Sequence, residues 1–111
     1  MMYRVVLRIK IQEDRWMQIG SGHDILWDVR DLIEASSGWT VLNQDDIGPA
    51  NSFLSLLERG IWELTKSADA YQDYEVMYGL GTIRDTLAFY RSLLEDCKEH
   101  PYAELYGKII A

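Results

Sequence analysis

The chain has one cysteine, Cys97, so no intramolecular disulfide can form and nothing in it calls for an oxidising compartment. Histidine is almost as scarce: His23 and His100 are the whole supply. Cys-x-x-Cys, a paired Glu-x-x-His and a twelve-residue calcium loop are all missing, so no metal is expected, and no cofactor either. Long apolar runs are absent too. No stretch approaches the roughly eighteen apolar residues of a membrane span, and "MMYRVVLRIKIQEDRW" lacks the apolar run and small-residue cleavage site of a signal peptide. A soluble, reduced, cytoplasmic protein is the expectation. With two prolines, no internal repeat and no low-complexity linker, residues 1–111 are read as one globular domain. A domain of this size should bury roughly 60–70% of the surface its open chain exposes.

Positive charge is also in short supply. Eleven Lys and Arg face eighteen Asp and Glu, for a formal net charge of −7, and the deficit is uneven. Residues 1–20 carry four basic and two acidic side chains; the rest carry seven and sixteen. From Gly20 to Glu58 seven carboxylates are opposed by Arg30 alone, and no basic residue occurs from Ser67 to Ile83. Such a field repels nucleic acid and anionic membrane while attracting cations or a basic protein surface. The same net charge is also what ordinary solubility requires.

What is present first is alternation. In "YRVVLRIKIQ", Tyr3, Val5, Leu7, Ile9 and Ile11 point one way and Arg4, Val6, Arg8, Lys10 and Gln12 the other, which predicts a strand with one wet face. "GSG" at 20–22 closes a connection, and Ser21 with Asp24 three residues on has the form of a capping box, predicting a helix over about 22–36. Gly38 stands where a left-handed cap belongs. "WTVLN", 39–43, suits a second short strand. Pro49 suits the first turn of a helix running to about Lys66, and Asp69 with Gln72 can cap a short helix reaching Tyr78. Thr82 and Asp85 repeat the capping box ahead of a helix to about Glu99, and Pro101 opens a last short turn, "YAELYGKII". The fold class is α+β: a predominantly helical domain of about four helices, with one or two short strands in the N-terminal half.

Helical wheels sort these side chains. In the first helix Ile25, Leu26, Val29, Leu32 and Ile33 fall within about 120°, while Asp24, Asp28 and Asp31 fall within about 60° on the far side. Trp27 sits beside those aspartates, away from the apolar stripe. In the second helix Trp62 projects opposite the stripe that holds Phe53, Leu57, Ile61 and Leu64. In the long helix Cys97 shares a face with Ile83, Leu87, Tyr90, Leu93 and Leu94, the setting of a buried, inert thiol. "DAYQDYEVMYGLG" places Tyr71, Tyr74 and Tyr78 within about 60° of one another, next to Met77 and Ala70. That face either packs inward with its phenols at the rim, or stays exposed beside Asp69, Asp73 and Glu75 as a partner surface.

Catalytic signatures are weak. Each histidine has a structural reading, and Ser, Cys and His show no family-type arrangement. "GLG" at 79–81 precedes a helix, but without a preceding β run it is a poor phosphate loop, and its surroundings are acidic. No enzyme activity is expected. Instead, "GHDILWDVRDLIEASSGW" and "YGLGTIRDTLAFYRSLLEDC", in a small, acidic, cysteine-poor chain, resemble the immunity proteins of bacterial toxin–immunity pairs, nearest those of contact-dependent growth inhibition. The resemblance implies a protein that binds and neutralises one cognate toxin domain, often a basic nuclease. The expected contact residues come from the acidic, aromatic segments themselves: Asp24, Trp27, Asp28, Asp31, Asp69, Tyr71, Asp73 and Tyr74. The competing reading is a small cytosolic adaptor, or a homo-oligomeric structural protein, without catalytic activity.

Overall fold

The computed structural model describes residues 1–40, 48–76 and 81–110. Its sheet begins as the alternation predicts, with β1 over Met2–Gln12. Tyr3, Val5 and Leu7 are buried on one face and Arg4 is exposed on the other. A two-residue turn at Glu13 and Asp14 returns the chain into β2, Arg15–Leu26, antiparallel to β1.

β2 overturns the expected first helix. Residues 22–26 are strand, paired with the start of β1: Met2 faces Leu26, Tyr3 faces Ile25 and Arg4 faces Asp24. The "GSG" segment is a bulge inside this strand, where the register shifts between Val5 and Leu7. Gly20 takes φ +68°, and a Cβ there would collide with the Asp96 carboxylate, so glycine is required twice over. After Leu26 a 3-10 turn, Trp27–Val29, leads into α1, Arg30–Ser37, half as long as the wheel implied. Gly38 then closes α1 at φ +81°, as expected of a left-handed cap.

The strand expected at 39–43 has no strand geometry at Trp39 and Thr40, and its remainder lies outside the described residues. Trp39 is instead a core side chain, with its ring 5.5 Å from Phe53 and 6.2 Å from Phe89. β3 is the brief Gly48–Pro49, followed by a 3-10 turn, Ala50–Phe53, and α2, Leu54–Lys66. Another 3-10 segment covers Ala68–Tyr74, shorter than the expected helix, whose end near Tyr78 lies outside the described residues. α3, Ile83–Glu99, opens on the predicted capping box: the Asp85 N–H donates to Thr82 Oγ1 at 3.1 Å, and the Thr82 N–H donates to Asp85 Oδ2 at 3.2 Å. The last segment is a strand where a turn was expected. β4, Glu104–Ile110, pairs antiparallel with β1, from Arg8 opposite Glu104 to Met2 opposite Ile110.

The sheet order is β2-β1-β4-β3, with helices on one face. Tyr3, Val5, Leu7, Ile25 and Leu105 meet Leu32 and Ile33 of α1, Leu57 and Leu64 of α2, and Phe89, Tyr90, Leu93 and Cys97 of α3 in one apolar cluster. Each such aliphatic or aromatic side chain contributes on the order of 1.5–3 kcal/mol by leaving water. α2 and α3 touch closely because Gly60 faces the Tyr90 ring, where a Cβ would come within 2.5 Å of Cε2. The Tyr90 hydroxyl in turn lies 2.7 Å from Ser36 Oγ and donates to the Ile33 carbonyl, tying α3 to α1.

Cys97 is fully buried in this cluster, as its helix face predicts. Burial, and then the adjacent Asp96 carboxylate, push its thiol from 9.0 up to about 12. A thiol raised in the folded state favours folding below its unfolded value, and that contribution is lost as pH rises from about 9 toward 12. Burial raises the Tyr90 phenol as well, so both groups make stability fall on the alkaline side. At pH 8 the native protein should react with a maleimide at least ~100-fold more slowly than the denatured chain, since thiolate and access are both withheld. Equal rates would place the thiol at the surface.

Candidate functional surface

The expected contact residues are divided by the fold. Asp24 lies on the outer face of the sheet, where Arg4 Nε and Nη2 donate to its two carboxylate oxygens at 2.8 and 2.9 Å. The Arg4 hydrogen bonds hold the Asp24 carboxyl below its usual range. Asp24 therefore shares no helical stripe with Asp28 and Asp31, because a strand turns it to the side opposite the core. Trp27 is a second correction. Its indole is 9% exposed, 5.3 Å from the Tyr3 ring, with the Arg30 guanidinium 5.2 Å from its centre. The 3-10 turn that replaces the first helical turn rotates Trp27 into the core, so it cannot serve as an exposed anchor.

The other six residues are accessible in differing degrees. Asp28 and Asp31, in the turn before α1 and in its first turn, are exposed, as is Glu34 one turn on. Asp31 also lies near the positive end of the α1 dipole, where a carboxylate is favoured. Asp69 and Asp73 are exposed on the Ala68–Tyr74 segment, and Gln72 Nε2 donates to Asp69 Oδ1 at 3.2 Å. Tyr71 and Tyr74 resolve the ambiguity of their face by splitting it. Tyr71 is half-buried against the core, while Tyr74 is 42% exposed, and their rings lie 6.3 Å apart. Burial, then the Glu63 carboxylate, raises the Tyr71 phenol. Tyr78 lies outside the described residues.

Tertiary packing supplies what the wheels could not. The Ala68–Tyr74 segment packs against α1 as well as α2 and α3, so two acidic stretches about forty residues apart in sequence occupy neighbouring elements. Two arginines temper the field: Arg30 on α1, and Arg59, which stands near Gly38 and Tyr71.

A polar cluster that sequence reasoning missed joins β2 to α3. His23, 4% exposed, contacts Ser92 Oγ through Nδ1 and Asp96 Oδ2 through Nε2 at 2.7 Å. The Ser21 N–H donates to the same Asp96 oxygen at 2.9 Å. Serine, histidine and aspartate in series are the parts of an acyl-transfer triad, but that chemistry also needs donors aimed at a developing oxyanion. Here the Ser21 N–H is committed to Asp96, and Ser92 sits within α3, whose main-chain donors serve the helix. The arrangement is a clasp between sheet and helix. Asp96, Glu99 and His100 bring one ligand atom each within 4.8 Å of the others, yet Asp96 is already engaged by His23 and Ser21. The spacing of Ser92 and Asp96, one helical turn apart, was legible; their pairing with His23 was not, since it depends on the bulge in β2.

No helix among the described residues is long and apolar enough to cross a membrane. Comparison with known proteins finds no match to a family model, a curated sequence or a solved structure.

Proposed function

We propose that this protein acts by binding, holding a basic protein partner against the acidic, tyrosine-bearing surface of α1 and the Ala68–Tyr74 segment. The specific reading is an immunity protein of the bacterial cytoplasm, without catalytic activity of its own, that neutralises a cognate toxin domain, a basic nuclease. The observation that carries it is the neighbouring placement of the two acidic elements, with Tyr74 exposed beside Asp69 and Asp73. Exposed carboxylates steer a basic surface into encounter, and a desolvated tyrosine then holds it.

The test is co-expression with the toxin gene neighbouring this one, followed by binding kinetics at two salt concentrations. Replacing Asp31 and Asp73 by Lys should slow association about tenfold or more and flatten its salt dependence, with dissociation nearly unchanged. Tyr74→Ala should do the reverse, speeding dissociation about thirtyfold, the equivalent of a 2 kcal/mol hot spot. Cells that survive the toxin equally well without this protein would refute the immunity reading. Survival that depends on the protein, with kinetics indifferent to these substitutions, would instead refute the assigned surface.

A further inference from the structure

Trp62 lies outside the apolar cluster that fills the core. It is 58% exposed on α2, the residue that the wheel placed opposite the core stripe. Beside it, α2 and α3 leave a groove of about 400 Å³ on their solvent side, in which Ile61 and Leu94 are half-buried. The charges lining this groove are of the wrong sign for the molecule. Lys66, Arg91 and Lys98 line it against the single carboxylate of Glu58, in a chain of net charge −7. Among the described residues none of the three cations has an ion-pair partner within 4 Å. Their aliphatic stems extend the apolar floor while their charged ends stay in water.

The spacing matches a helix-shaped occupant. On α2 the lining residues Glu58, Ile61, Trp62 and Thr65 follow i, i+3, i+4, i+7; on α3, Arg91, Leu94 and Lys98 follow i, i+3, i+7. Each wall therefore offers two turns, roughly 10 Å, of one helical face. A groove of that form, with half-buried Ile61 and Leu94 in it and three cations to one carboxylate among its lining residues, suits the apolar stripe of a third helix whose flanks carry carboxylates. We propose that the α2–α3 groove docks an amphipathic helix of a partner protein whose flanks carry Asp or Glu, with Trp62 as the central anchor. This is independent of the acidic surface of α1 and asks for a partner segment of opposite charge.

The probes are two synthetic helical peptides of about 14 residues with Leu at i, i+4 and i+7, one flanked by Glu and the other by Lys. Binding to the intact protein is read by fluorescence anisotropy, and the site by chemical-shift changes at the Trp62 indole N–H. The Glu-flanked peptide should bind about tenfold or more tightly than the Lys-flanked one, and weaken as salt rises. Trp62→Ala, and Lys66→Glu with Lys98→Glu, should each lower its affinity about tenfold or more. All three positions are exposed, so the melting temperature of the variants should stay near that of the parent. Equal binding of the two peptides, or binding indifferent to Trp62→Ala, would overturn the proposal. So would concentration-dependent self-association abolished by Trp62→Ala, which would make the occupant a second copy of this chain.

Discussion

Trp27→Ala should destabilise the protein by about 3–5 kcal/mol, the range for truncating a large buried aromatic. The indole fills the space between Tyr3 at the start of β1 and the Arg30 side chain at the start of α1. Its removal opens a cavity where β2 hands over to α1. The main-chain bond from the Trp27 N–H to the Met1 carbonyl, 3.0 Å, survives the substitution, so the loss is one of packing. Trp27→Phe should cost markedly less, because a ring still meets Tyr3. Urea unfolding of the three proteins tests this. A loss within about 1 kcal/mol for alanine, the usual range for surface positions, would show the indole to be solvent-facing. Partner binding, measured where the variant remains folded, should fall little, in contrast to Tyr74→Ala.

Asp96→Ala should cost about 3 kcal/mol, because it strands two groups at once. The His23 Nε2 and the Ser21 N–H both lose their partner, and the imidazole is too deeply placed for solvent to replace it fully. The bulge at Gly20 is shaped around this carboxylate, so loosening it should also release β2 from α3. A double-mutant cycle with His23→Ala separates the clasp from simple packing. The two losses should be strongly non-additive, by 1 kcal/mol or more, as for residues that share one hydrogen-bonded network. Strict additivity would mean that the two side chains contribute separately. Hydrogen exchange gives an independent reading: amides of residues 19–24 should lose protection in Asp96→Ala before those of β1 do.

The elements that sequence reading located correctly are those whose signals are local. The alternation of β1, the Gly38 cap, the Thr82–Asp85 box and the inward face of Cys97 each arise within a few residues. The helix ends at Lys66 and Glu99 were legible for the same reason, and so was the outward placement of Trp62. "SGHDIL" failed because its local signals conflict. Ser21 and Asp24 mimic a cap, and Ile25, Leu26, Val29, Leu32 and Ile33 continue a helical period through what is strand, 3-10 turn and helix in succession. His23 and Ile25 buried around an outward Asp24 is equally a strand pattern, and six residues are too few to separate the two. Of the expected contact surface, the exposure of the acids near α1 and on the Ala68–Tyr74 segment was readable, whereas the packing of that segment against α1 was not.

By itself, then, the sequence determined the α+β class, the uneven negative charge, the first strand, the ends of the two long helices and the burial of the one thiol, because each depends on composition or on neighbours within two helical turns. Only the tertiary structure decided that residues 22–26 are strand, that 104–110 close the sheet, that Trp27 is core, that Asp24 is paired to Arg4, and that His23 meets Asp96. Each of those turns on a partner about twenty to one hundred residues away. A strand acquires its hydrogen bonds from another segment of chain, so where its own pattern is ambiguous, as at 22–26 and 104–110, its identity is settled only by register with that segment.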